Sequence, residues 1–160
     1  MILENKLAKS QKAFETWTLV PFTEKQKLLK KLANLLEKNA AKFGKNITHE
    51  MNKPISQSIA EVEKSALMTN YYANAENCFK PEKIQTEFRV SEIHYVAKGV
   101  ILGVMPWNFP FWQVLRFAVP AILAGNTVVL KHASICFKSG NMIEKLFLEA
   151  GFPKGIFTNL

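Results

Sequence analysis

Gly99-Val100-Ile101-Leu102-Gly103-Val104-Met105 and, further on, Thr127-Val128-Val129-Leu130-Lys131 decide the fold. Each is a short, nearly continuous apolar run rich in β-branched side chains, the pattern of a strand buried on both faces. Between them, Pro106 and Pro110 mark a turn, and Phe111 to Gly125 reads as a helix. After the second run, Ser139 to Ala150 is another helix, with Met142, Ile143, Leu146 and Phe147 along one side. Gly151-Phe152-Pro153-Lys154-Gly155 stops that helix, and Ile156-Phe157 opens a third strand. Strand, helix, strand, helix, strand is the order of an α/β fold: a parallel sheet joined by crossover helices.

Upstream, residues 82–98 change period. Ile84, Thr86, Phe88 and Val90, then Ile93, Tyr95 and Val96, predict two strands forming a hairpin or projecting arm. Exposed ribbon edges of this kind pair with other subunits. Residues 1–81 read as helices. One carries Leu7, Phe14 and Trp17. A second opens on a Thr23-x-x-Gln26 capping box, carries Leu28, Leu29, Leu32, Leu35, Leu36 and Phe43 as one stripe, and stops at Gly44. A short helix ends near Asn52-Lys53-Pro54, and another follows with Ile55, Ile59, Val62 and Ala66.

Composition narrows the class. At 160 residues the chain is one domain or part of a larger one. With 48% hydrophobic and 21% charged residues it is neither disordered nor fibrous. Two cysteines, Cys78 and Cys136, exclude a disulfide scaffold and suit a reducing, cytoplasmic compartment. The N-terminus is charged within its first five residues and has no apolar core of signal-peptide length. Net charge is +8, yet the basic residues are nearly all lysines scattered along helical segments, with Arg89 and Arg116 the only arginines. That pattern describes a solvated surface rather than a nucleic-acid site. Asn108, Gln113, Arg116, Asn126 and three prolines interrupt residues 99–130, so no membrane span is expected.

Ligands of an open parallel sheet bind beyond the carboxyl ends of its strands. Two stretches qualify: Met105-Pro106-Trp107-Asn108-Phe109-Pro110, and Lys131-His132-Ala133-Ser134. The Asn108 amide could donate to an oxygen that gains negative charge, or could close the turn on its own backbone. Lys131 could bind a ribose or phosphate, or remain solvated. No sequence pattern suggests a metal site.

The run GVMPWNFPFWQVLRFAVPAILAGNTVVLKHAS, followed by EAGFPKGIF, resembles the NAD(P)-dependent aldehyde dehydrogenase superfamily, and within it the succinate-semialdehyde dehydrogenase branch. The pieces AFETW, ITHEMNKPISQSIAEVEKSA and YYANAEN resemble that family's N-terminal helices. The resemblance implies the first half of a Rossmann-like sheet. Residues 1–81 are then the helical part of the cofactor domain, 82–98 an oligomerisation arm, and 99–160 the first βαβαβ of the NAD(P)-binding domain.

The resemblance also implies roles. Asn108 matches the oxyanion-hole asparagine. Met105, Pro106 and Trp107 match the stretch lining the nicotinamide ribose, and Lys131 the lysine that reaches the adenosine ribose. Ser134 stands where NAD-preferring relatives often carry Glu. A carboxylate there would repel a 2′-phosphate, so serine tips the expectation from NAD to NADP. Arg116 matches a position that pairs with the substrate carboxylate in the semialdehyde branch, a bidentate task that suits a guanidinium. An arginine whose stem lies along a crossover helix is the plainer alternative. His132 departs from the family, where many relatives have Pro, and the segment before Gly99 lacks a common proline.

The resemblance covers only the N-terminal part of such an enzyme. The nucleophilic Cys, the general-base Glu and the glycine-containing phosphate turn have no match here. Neither Cys78 nor Cys136 substitutes by motif, so the isolated chain is expected not to oxidise aldehydes. The expected partners are an aldehyde carrying a carboxylate, the remaining part of the enzyme, and further copies in a homo-oligomer. The alternative is a non-catalytic module that completes or joins another aldehyde dehydrogenase chain. A Lys-rich protein that binds acidic surfaces is a third reading.

Overall fold

The computed structural model describes residues 2–76 and 78–160, with the side chain of Ile2 left aside; Asn77, the last residue of the YYANAEN motif, lies outside them. Four helices come first: α1 (Ile2–Trp17), α2 (Phe22–Lys38), α3 (Ala40–Met51) and α4 (Ile55–Asn74). A two-stranded ribbon follows, β1 (Glu82–Lys83) and β2 (Glu92–Ile93). The remainder is β3 (Val100–Met105), α5 (Trp112–Leu123), β4 (Thr127–His132), a 3-10 turn (Ser134–Cys136), α6 (Phe137–Glu149) and β5 (Phe157–Asn159).

The sheet is parallel in the order β3-β4-β5, as the sequence predicts. Both crossovers step the same way, so right-handed connections put α5 and α6 on one face. Val128, Leu130 and Phe157 point into that face and join Val114, Leu115, Ile143 and Phe147 in a single core. The helical layer continues that core through Leu29, Leu32, Leu36, Ile47 and Val62, all fully buried. Trp17 anchors α1 by donating its indole N–H to the Ile122 carbonyl at 2.9 Å. Asn126 fixes the strand starts: its Oδ1 accepts from the Lys98 and Gly99 amides, and its Nδ2 donates to the Ala121 carbonyl.

Several local expectations need correction. Thr23 and Gln26 do not form a capping box. The N-cap lies two residues earlier, at Pro21, whose carbonyl takes the amides of Glu24 and Lys25. Gln26 instead donates to the Tyr72 and Ala75 carbonyls, closing the end of α4. The long leucine helix breaks at Asn39, whose side-chain amide donates to the Leu35 carbonyl at 2.8 Å and shares it with Asn39's own backbone amide at 3.2 Å, competing with the helix ladder. Gly44 does not end a helix; it lies inside α3, where a Cβ would come within 2.6 Å of the Ile59 side chain. The arm has only two paired residues per strand, Glu82 with Ile93 and Lys83 with Glu92. Among the described residues no core underlies it: Phe88, Val90 and Val96 are all largely exposed. The expectation of strands buried on both faces holds for β4 but not for β3. Leu102 and Val104 are 59% and 67% exposed, because no described residue covers that side of the pleat there.

Candidate functional site

Pro106 to Phe111 connects β3 to α5, and its backbone is held from four directions. The Trp107 carbonyl accepts from the Cys136 thiol at 3.7 Å. The Asn108 carbonyl accepts from Lys53 Nζ at 3.2 Å. The Pro110 carbonyl meets His132 Nε2 at 3.1 Å. The amides of Phe111 and Trp112 donate to Glu61 Oε1 at 2.9 and 3.1 Å, which caps α5. Lys53 and Glu61 are themselves ion-paired at 2.5 Å with side chains 10% and 1% exposed, and the ammonium lies 3.7 Å from the Phe109 ring centre. Side chains from the α3–α4 connection, α4, β4 and the 3-10 turn thus converge on one six-residue segment.

The side-chain amide of Asn108 is exposed, with no hydrogen-bond partner among the described residues. The turn-closing Asn bond is therefore not made; the Lys53 contact goes to the backbone carbonyl instead. A rigid turn presents an uncommitted amide at the carboxyl end of β3.

His132 Nδ1 accepts from the Ala133 amide at 2.9 Å, which puts the ring proton on Nε2, facing the Pro110 carbonyl. Burial lowers the His132 pKa, against the opposing pull of that carbonyl and of the Glu50 and Glu61 charges. Cys136 is pushed up to about 11, first by burial and then by Glu50 and Glu61. It is a neutral thiol that serves as a donor.

The second stretch lies alongside. Met105 pairs in register with His132, and its carbonyl takes the Ala133 amide at 3.1 Å. Lys131 and Ser134 are exposed at and just beyond the end of β4, and neither has a carboxylate partner among the described residues. Pro106 and Trp107, just beyond β3, are also exposed, Trp107 at 57%. Arg116 lies on the exposed face of α5, one turn beyond Trp112. The second and third amides of α6 are not available to an anion. Glu50 Oε1 accepts from the Lys138 and Ser139 amides, and its Oε2 from the Ser139 hydroxyl and the Asn46 amide. Lys131 and Ser134 are thus exposed polar groups that Glu50 and Glu61 do not engage.

Lys53, Glu61, Glu50 and the turn-holding role of His132 are absent from the sequence reading. The visible signal was a polar stripe, Ser58, Glu61, Ser65 and Thr69, at helical spacing beside the apolar one; all four are buried. Among the described residues no helix is long and apolar enough to cross a membrane.

Comparison with known proteins agrees with this architecture. The family model described as "Aldehyde dehydrogenase family" matches residues 3–160. A protein of Synechocystis sp. named "Probable succinate-semialdehyde dehydrogenase [NADP(+)]" is 45% identical over 156 residues, covering 97% of this chain and 34% of its own length. The succinate semialdehyde dehydrogenase of Escherichia coli, named for NAD(P)+, is 38% identical over 97% of this chain and 34% of its own. The solved succinic semialdehyde dehydrogenase of Streptococcus pyogenes, in complex with NADP+, superposes with a TM-score of 0.94 at 34% identity, over 99% of this chain and 35% of that one. The chain thus spans about a third of the length of the relatives it matches. Turn, sheet order and near-complete family match agree, and the chain belongs to the aldehyde dehydrogenase family.

Proposed function

We propose that these residues form the N-terminal part of an NAD(P)-dependent aldehyde dehydrogenase that oxidises succinate semialdehyde to its dicarboxylic acid, with NADP preferred. The observation that carries this is Asn108, whose amide is left free while other elements hold the backbone of its turn. Fixed donors aimed at an oxygen that gains charge stabilise a transition state without reorganising. Asn108 holds the aldehyde oxygen as the carbonyl becomes tetrahedral. Arg116 takes the acid end of the substrate. Met105, Pro106 and Trp107 line the nicotinamide ribose, and Lys131 with Ser134 binds the adenosine ribose and its 2′-phosphate. When bound, the nicotinamide supplies the hydride acceptor.

The names of the relatives support the substrate, and two of them, named for or solved with NADP+, support the cofactor preference. Cys136 is buried, donates its thiol hydrogen bond to the Trp107 carbonyl and has its pKa pushed up to about 11 by burial, and Cys78 matches no nucleophile motif, so this reading assigns no aldehyde oxidation to these 160 residues by themselves. The nucleophile and general base come from further polypeptide. A second reading, a module that joins other aldehyde dehydrogenase chains, is favoured by the exposed ribbon and by the open side of β3.

Calorimetric titration with NADP+ and NAD+ tests the proposal. NADP+ binds more tightly, and Ser134→Glu reverses the order. Equal affinity for the two cofactors in both proteins would overturn the cofactor reading. Reduction of NADP+ that Cys136→Ala abolishes would overturn the statement about the nucleophile. Cofactor binding lost only when the ribbon is altered would favour the assembly module.

A further inference from the structure

A cavity of about 360 Å³ opens between α4 and α5 beside the Asn108 turn. Phe109, Trp112 and Gln113 line one side, and Lys53, Glu61 and Lys64 the other. Lys53 and Glu61 neutralise each other within their ion pair. Lys64 has no carboxylate within ion-pair distance among the described residues, and its ammonium lies 4.4 Å from the Trp112 ring centre. The cavity therefore carries one net positive charge against an aromatic wall. Arg116 lies four residues further along α5 and is exposed, but it lines neither this cavity nor the next. A larger, mostly apolar hollow of about 940 Å³ shares Lys64 and Trp112 with the first cavity, so Lys64 stands where the two join.

A short chain with an aldehyde at one end and a carboxylate at the other matches this layout. The turn end of the cavity is Phe109, next to Asn108; the rim is cationic. A carboxylate beside an exposed ammonium that an indole face already holds in place gains a charge-assisted hydrogen bond. We propose that Lys64 is a specificity-determining residue, taking the substrate carboxylate jointly with Arg116 while Phe109 and Trp112 pack the methylene chain. This rests on the reading of the site as one for an aldehyde acid.

The test is a binding titration of the full 15N-labelled chain, following the Trp112 indole N–H resonance, assigned with Trp112→Phe. The probes are 4-hydroxybutyrate, an unreactive analogue of the aldehyde acid, and the neutral 1,4-butanediol. The resonance shifts saturably with the acid and not with the diol. Lys64→Met weakens acid binding about tenfold, the loss of one charged hydrogen bond. Lys64→Arg restores it to within about twofold, because charge and donors are kept. Wild-type affinity in Lys64→Met overturns the proposal. If Arg116→Met then loses binding, the aldehyde-acid reading stands without Lys64. Lys64→Arg as weak as Lys64→Met also overturns it, since the effect is then one of packing. A wild-type chain that binds acid and diol alike removes the aldehyde-acid reading itself, and Lys64 with it.

Discussion

Glu61 and Glu50 each reach from the helical layer to the start of a crossover helix, but the two caps are built differently. Glu50 receives two amides, a hydroxyl and a side-chain amide, all of them neutral donors. Glu61 receives two amides and an ammonium, and that ammonium also holds the Asn108 carbonyl and covers the Phe109 ring. The α6 cap secures only a helix. The α5 cap couples helix α5 to the turn that presents Asn108, so stability and site geometry depend on one buried pair.

Substitution can break or sharpen that contrast. The largest effect is expected for Glu61→Ala, which leaves a nearly buried ammonium and two amides without their acceptor. A loss of about 3–5 kcal/mol is the usual result of removing one partner of a buried pair, and it would be read from the urea midpoint. A loss no greater than that of Glu50→Ala would abolish the distinction between the caps. Next is the coupling: combining Lys53→Met with Glu61→Gln should destabilise by about 1–2 kcal/mol less than the sum of the single changes, since both remove one interaction. In the Lys53→Met chain, amide exchange should quicken at residues 107–109 and stay unchanged in α6; uniform quickening would mean that Lys53 holds the fold rather than the turn. Glu50→Ala should cost about 1–2 kcal/mol, the value of a lost cap with no charge stranded.

The smallest effect concerns pH. Burial holds His132 below the ordinary value of 6.5, so the unfolded chain takes up this proton first as pH falls. The stabilisation from the neutral ring is complete above pH 6.5 and is lost progressively below it. Subtracting the pH profile of His132→Gln from that of the wild type should isolate this slope. Identical profiles would show that the Pro110 contact does not depend on the proton state of the ring.

The parallel sheet was legible because each strand is a compact apolar run and each crossover helix has its own stripe; Val128, Leu130, Ile143 and Leu146 are buried as their spacing demands. The position of Asn108 at the end of the first strand was legible for the same reason. The ends of the helices were less so. Thr23 and Gln26 have the right spacing for a cap, but Pro21 starts the helix earlier and the Tyr72 and Ala75 carbonyls claim the glutamine. Gly44 reads as a stop signal from local rules, yet it is a close-approach point for Ile59. In both cases a partner distant in the chain outweighs a preference worth about 1 kcal/mol.

By itself the sequence determined the element order, the parallel sheet and the residues at its carboxyl edge, because hydrophobic period and strand-end position are local properties. Only the tertiary structure decided what holds the edge in place. Lys53, Glu61, His132 and Cys136 meet at one turn from separate parts of the chain, and no spacing rule links them. Buried polar groups must find partners wherever the folded chain provides them, and those partners are fixed by packing rather than by distance along the sequence.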